Sequence, residues 1–306
     1  MRFLSSRWLK VGVSLGLFAF LLNATDLSVF HQYLSAAPIT WVVIVFIGYE
    51  LGQVLSAYKW QILARPLGFT QPLRMFVTYY FSGMYLNLFA PSTVAGDFGR
   101  GALLAGSRGK LGSAIQSVVA DRVSGLIMLL WVCAVASFFT DHETLSGSVR
   151  YGVSAAAIGT TGGWLLLPKL LGNTLLSNLK ICHALAKLVG PYQTARSVLG
   201  RACGLSIVFH LFQIGLQLLL ALALHIDASV WILMVYIALV GMLSNLPVSF
   251  GGIGVREGGY VMLLTPLGVE REQALAFGFL WSAVVLVANA TGGLALLFTP
   301  PAKEIK

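Results

Sequence analysis

Two apolar stretches of this 306-residue chain, far apart in sequence, are interrupted in the same way. Residues 87–104 read NLFAPSTVAGDFGRGALL, and residues 245–260 read NLPVSFGGIGVREGGY. With each proline as origin, Gly96 and Gly252 fall five residues after Pro91 and Pro247, and Arg100 and Arg256 fall nine after. An Asn-Leu pair precedes each proline, and an acid accompanies each arginine, Asp97 in one and Glu257 in the other. Broken backbone and charge are tolerated at membrane depth only where protein buries them or they line a hydrated cavity. Paired broken segments in two halves of a chain point to a transport site.

The membrane setting follows from composition. The chain is 57% hydrophobic and 10% charged, against roughly 25% charged residues in a soluble domain. Its length allows about eight spans of roughly 20 residues with short loops. The longest candidate soluble stretch, 169–202, is too short for a catalytic or ATP-binding domain. The formal charge of +9 does not mark a nucleic-acid binder. Seventeen of the twenty Lys and Arg residues fall in five segments that alternate with acid-leaning loops. That is the positive-inside pattern, with anionic lipid headgroups as counter-charge. Cys133, Cys182 and Cys203 form no CxxC pair, and no His/Cys cluster suits a metal. No cofactor motif is present either: there is no GxxxxGK, and the glycines at 251–259 do not spell GxGxxG.

The pattern predicts an all-α polytopic membrane protein, one integral domain over 1–306, with about eight membrane segments. Residues 9–22 read as an uncleaved signal anchor, and loop 23–40 as exterior. Segment 41–58 returns, with Trp41 and Trp60 near the interfaces and a cytoplasmic loop from Lys59 to Arg74. Segment 73–90 then enters from inside, yet 97–122 carries Arg100, Arg108, Lys110 and Arg122 and belongs inside as well. A re-entrant hairpin over 73–106 resolves the conflict, turning at Pro91–Gly96. Segments 123–140 and 150–168 cross out and back, leaving 169–202 as a basic amphipathic region on the cytoplasmic surface. Segment 203–224 crosses outward, and a second hairpin over 230–268 descends from outside, breaking at Pro247–Gly254. Segment 274–298 returns to a cytoplasmic C-terminus. Arg150 and Arg271 are the basic residues counted outside. The two hairpins are therefore expected as an inverted repeat in a prokaryotic cytoplasmic membrane, with both termini inside.

These breaks supply the candidate site. A re-entrant turn ends one half-helix and starts another, whose first N–H groups are unpaired and carry the positive end of a dipole. Gly96, Gly251, Gly252 and Gly254 would let an anion approach them, and Arg100 and Arg256 add forks suited to phosphate oxygens. Asp97, Arg100, Arg256, Glu257 and the mid-span Glu50 would each cost about 2.5–3.5 kcal/mol if unpaired at the bilayer centre. Pairing is therefore expected, Asp97 with Arg100 along one helix face, and Asp97 with Arg256 or Glu257 with Arg100 across the repeats. Glu50 is a candidate proton-coupling residue. His210 and Gln213, with Gln217, form a polar stripe on 203–224, and Asp121 and Arg122 read as an interfacial ion pair at a cytoplasmic mouth.

The chain resembles the lysylphosphatidylglycerol synthase transmembrane-region family, also called flippase-like integral membrane proteins. Pro91, Ala95, Gly96, Asp97 and Arg100 are similar to the family's P-x-x-x-G-G-D-x-x-R block, with alanine in place of the first glycine. Asp121-Arg122 followed by Gly125-Leu126 is similar to its D-R-x-x-G-L element, and Pro247, Gly251, Gly252, Gly254 and Glu257 to its second glycine block. The resemblance implies movement of lipids or lipid-linked intermediates between leaflets, beside lipid-modifying or glycosyl-transferring enzymes. The soluble aminoacyl-transferase domain fused to some members is missing here, so an enzyme is not expected.

The leading expectation is translocation of an anionic phospholipid or polyprenyl-type lipid, its headgroup held between the hairpins. A non-transporting scaffold for a lipid-modifying enzyme or glycosyltransferase, docked through 169–202, is a second possibility. A proton-coupled transporter of a small soluble anion, using Glu50, is a third. An intramembrane enzyme using Asp97 and Glu257 as acid and base is a fourth.

Overall fold

A computed structural model of the chain describes residues 25–89, 94–106, 109–171, 190–192, 195–245, 249 and 251–297, with Gly12, Gly16, Leu21 and Asn23. The described residues form ten α-helices and two 3-10 turns: α1 (Leu27–Ala36), α2 (Ile39–Ala64), α3 (Leu73–Leu86), α4 (Val94–Ala105), α5 (Leu111–Phe138), α6 (Gly147–Leu171), α7 (Arg196–Ala223), α8 (Val230–Ser244), α9 (Val255–Leu264) and α10 (Arg271–Leu297). Four of them, α2 with its 3-10 extension to Leu67, α5, α7 and α10, are long and apolar enough to cross a bilayer, and α8 is a shorter apolar helix. This is an all-helical membrane protein.

Prolines and glycines set the helix limits. Pro38 and Pro72 are the N-caps of α2 and α3, a place where the missing proline N–H costs nothing. Pro66 lies in the 3-10 turn that closes α2, and Gly68 follows at φ 84°. Asp26 caps α1 by accepting the N–H groups of Ser28 at 2.9 Å and Val29 at 3.4 Å. That helix occupies the stretch read from sequence as the loop 23–40.

The helices pack in a pattern that repeats. At the centre α2 packs on α7. The break at 87–93 leaves α3 and α4 side by side and antiparallel, Phe76 and Tyr79 sharing a core cluster with Leu104 and Ala105. The second break leaves α8 packed on α9. Then α4 packs on α5 and α9 on α10, while α3 packs on α10 and α8 on α5. Exchanging α2–α5 for α7–α10 reproduces every one of these contacts.

Several boundaries differ from the sequence reading. The second segment ends at Ala64, not at residue 58, so Lys59 and Trp60 are helical and buried and not loop or interface residues. The fourth long segment begins at Leu111, not 123, and carries Asp121 and Arg122 within α5. The seventh begins at Arg196. In each case a lysine, arginine or aspartate inside a helix reads, in a hydropathy window, as the end of a span. Arg150, counted as an exterior loop charge, is buried in α6 and donates to the Thr140 carbonyl at 2.6 Å. Most of the 9–22 run, the hairpin turn residues 90–93, 246–248 and 250, and residues 172–189 of the basic region lie outside the described residues.

Candidate functional site

A cavity of about 610 Å³ opens where the two helix pairs approach the central α2–α7 contact. Both halves of the chain line it, from Gly96, Asp97 and Arg100 on α4 to Gly251 and Arg256 at the second break. Its charged wall residues are four cations, Lys59, Arg100, Arg122 and Arg256, and two carboxylates, Asp97 and Asp121. Among the described residues that is a formal surplus of two positive charges in a largely apolar enclosure, where a field of one sign is focused rather than screened.

The first half carries a network, not a single pair. Arg100 Nε donates to Asp97 Oδ1 at 3.1 Å, one helical turn back, and Arg100 Nη2 donates to Asp121 Oδ2 at 2.9 Å. The guanidinium lies over the Trp60 and Tyr80 rings, 4.8 and 4.7 Å from their centroids. Lys59 Nζ closes on Asp121 Oδ1 at 2.9 Å and donates to the Asp121 carbonyl at 3.1 Å and to Ser206 Oγ at 3.2 Å. Asp97 is shared, because Arg122 Nε donates to its other oxygen at 2.7 Å. Arg122 also reaches the second half, donating to Asn245 Oδ1 at 3.5 Å. It is the most open of this group, with its side chain 41% exposed.

Close backbone approach positions Arg100. Gly83 of α3 faces Gly96 and the Arg100 Cβ, and a Cβ on Gly96 would lie 2.1 Å from the Gly83 carbonyl oxygen. Only glycine fits there. The Gly96 N–H is donated to Asn87 Oδ1 at 2.9 Å, so the asparagine before the break caps the helix after it.

The second half is built differently. Gly251, Gly252 and Gly254 have φ of 62°, 83° and 83°, left-handed values that disfavour any side chain. Glu257, 1% exposed, turns back to accept the Gly254 N–H at 2.6 Å and is also bonded by Ser282 Oγ. It is the N3 residue that caps the start of α9 and not a cavity wall. Arg256 Nη1 donates to Ser282 Oγ at 2.9 Å, and among the described residues no carboxylate lies within ion-pair distance. Arg256 is thus the cation of the cavity wall without a direct ion pair among the described residues, linked to Glu257 only through the Ser282 hydroxyl.

The structure brings Gly96, Asp97, Arg100, Gly251, Arg256, Asp121, Arg122, His210 and Gln213 to one cavity and leaves Gly252, Gly254, Glu257 and Glu50 off its wall. The expected Asp97–Arg256 and Glu257–Arg100 pairs do not form, since each acid is satisfied within its own half. Asp121 and Arg122 do not pair with each other either. Adjacent helical residues point apart, so Asp121 turns to Lys59 and Arg100 and Arg122 turns to Asp97. The expected open N–H groups at Gly96 and Gly254 are taken by Asn87 and Glu257. Glu50 is half-buried and accepts from Thr291 Oγ1 at 2.7 Å. His210 Nε2 is 2.9 Å from the Gly125 carbonyl, the hydrogen-bonded packing role common for such a histidine.

Sequence reasoning missed Lys59, Asn87, Asn245 and Ser282. The signal for Lys59 was present: Gln53, Ser56 and Lys59 recur every third residue, a polar stripe on one side of the helix, and all three line the cavity. Ser282, on α10, carries no local signal of its role.

The family model described as Lysylphosphatidylglycerol synthase TM region matches residues 7–293, nearly the whole chain, and no other domain is found. No curated protein and no solved structure matches.

Proposed function

The chain belongs to the lysylphosphatidylglycerol synthase TM-region family, and from that premise we propose that it moves an anionic lipid, a phospholipid or a lipid-linked intermediate, between membrane leaflets. The role is non-catalytic. The α3–α4 pair acts as a re-entrant hairpin from the cytoplasmic side and α8–α9 as its inverted counterpart from outside, with both termini cytoplasmic. The contact pattern that survives exchange of α2–α5 for α7–α10 supports this reading.

A headgroup enters between the hairpins, and Arg256 and Arg122 replace its hydration by charge-assisted hydrogen bonds. Arg100 stands behind them, its fork held by Asp97 and Asp121 and one nitrogen, Nη1, buried without a partner among the described residues. The lipid tail stays in hydrocarbon. Alternating opening of the two halves completes the transfer. A lipid-modifying enzyme or glycosyltransferase in the same membrane is the partner that would supply or consume such a cargo.

The observation that carries this reading is the cavity shared by both halves, with two more cations than carboxylates on its wall. Proteoliposomes containing a labelled anionic lipid test it. Wild type should move the label between leaflets, and a folded Arg100→Ala/Arg256→Ala protein should fall to the protein-free rate. Equal rates in the two proteins would contradict it. Competition by a soluble anion without effect of the lipid label would favour a small-anion transporter.

A further inference from the structure

One polar group in the cavity has no role in binding the phosphate. Gln213 of α7 is 8% exposed and lines the cavity, and neither Oε1 nor Nε2 has a hydrogen-bond partner among the described residues. Its neighbours on the same helix are satisfied. His210 Nε2 meets the Gly125 carbonyl at 2.9 Å, and Gln217 Oε1 accepts from Tyr260 OH at 2.5 Å. Buried side-chain amides are rarely left unmatched at both ends unless a ligand or water completes them. The amide is also held in place: it lies on Gly52 of α2, where an added Cβ would come within 2.4 Å of Nε2.

We propose that the Gln213 amide is a second subsite of this cavity, one that takes the hydroxyl groups of a headgroup beyond its phosphate. The proposal rests on the anionic-lipid reading above and adds a specificity determinant to it. A primary amide offers a donor and an acceptor at once. A phosphate only accepts, so it can satisfy Nε2 and leaves Oε1 bare. A hydroxyl both donates and accepts and can complete the group. The cations take the phosphate, and Gln213 selects phosphodiesters that carry hydroxyls over those that end in hydrocarbon. A site built to bond a hydroxyl rejects the analogue lacking it, because its own polar groups are then left unpaired.

Two lipids with identical acyl chains separate the terms. Phosphatidylglycerol and phosphatidylpropanol carry the same phosphodiester charge and differ only in hydroxyls. Binding to the purified full chain in detergent, read by native mass spectrometry, should favour phosphatidylglycerol by about tenfold, the size of one or two net hydrogen bonds. Gln213→Met should bring the ratio near one, by weakening phosphatidylglycerol binding and removing the unpaired amide that disfavours phosphatidylpropanol. Gly52→Ala, which displaces the amide without removing it, should lower the ratio as well, and it decides the matter if Gln213→Met does not fold. No preference in wild type, or a preference that persists in both variants, would overturn the proposal and leave a hydrated glutamine only. If wild type binds neither lipid, or binds both without dependence on Arg256, the anionic-lipid reading itself fails.

Discussion

Arg100 and Asp121 are joined at 2.9 Å, and each side chain is only 4% exposed. The pair ties the helix that follows the first break to the long helix after it. Removing one partner of a buried pair leaves an uncompensated charge, at a cost of about 3–5 kcal/mol. Asp121→Asn should therefore lower stability by that amount in a denaturant titration in detergent, because both Lys59 and Arg100 lose their shared anion. A loss below about 1 kcal/mol would show that the network contributes little.

Gly96→Ala should be destabilising although it adds one methyl group. The new Cβ would lie 2.1 Å from the Gly83 carbonyl oxygen, a backbone atom that cannot swing aside. Overpacking of this kind costs about 1–3 kcal/mol, and separation of α3 from α4 should follow. Gly112→Ala, whose added Cβ meets nothing within 4 Å, is the matched control and should be neutral or better. The thermal midpoints of the two variants in detergent check this directly.

Arg256 and Arg100 should separate function from stability. Arg256 gives up one hydrogen bond to Ser282 when replaced by alanine, a loss of about 1 kcal/mol. Arg100→Ala removes one of the two cations from each of Asp97 and Asp121, leaving Arg122 and Lys59 as their partners, and should cost more. Arg256→Ala should then fold nearly as wild type and fail to move lipid, whereas Arg100→Ala should be compromised in both respects. Unfolding curves paired with proteoliposome rates measure the split.

The cap at Asp26 should respond to acid. Its hydrogen bonds from the Ser28 hydroxyl and the Ser28 and Val29 amides hold its carboxyl below the ordinary aspartate value of 3.8. A depressed folded value means that the cap contributes fully above the ordinary carboxylate value and is lost as pH falls through the depressed one. Hydrogen exchange at Ser28 and Val29, corrected for its intrinsic pH dependence, should lose protection in that acid range. Asp26→Ala should show the weakened protection at neutral pH.

The membrane class, the two breaks and most of the charged cavity wall were legible in the sequence. Charge, proline and glycine inside apolar runs are rare enough that a repeated spacing stands out, and Gly96, Asp97, Arg100, Gly251 and Arg256 do converge on one cavity. The pairing was not legible. Which acid meets which base depends on helix rotation, and Asp121 reaches across to Lys59, a residue 62 positions away. Lys59 itself was hidden by position, since a lysine at the end of an apolar run reads as a loop until the stripe from Gln53 through Ser56 is followed to its end. The capping roles of Asn87 and Glu257 were likewise hidden, because a motif gives residue types and spacing but not the direction in which a side chain turns.

A cryo-EM structure of the full chain in nanodiscs rich in an anionic phospholipid would locate the guest. The expected result is headgroup density inside the cavity, its phosphate within hydrogen-bond distance of Arg256 or Arg122 and its tail emerging into the bilayer. Lipid density confined to the outer surface of the helices, with ordered water alone between Arg256 and Asp97, would contradict it.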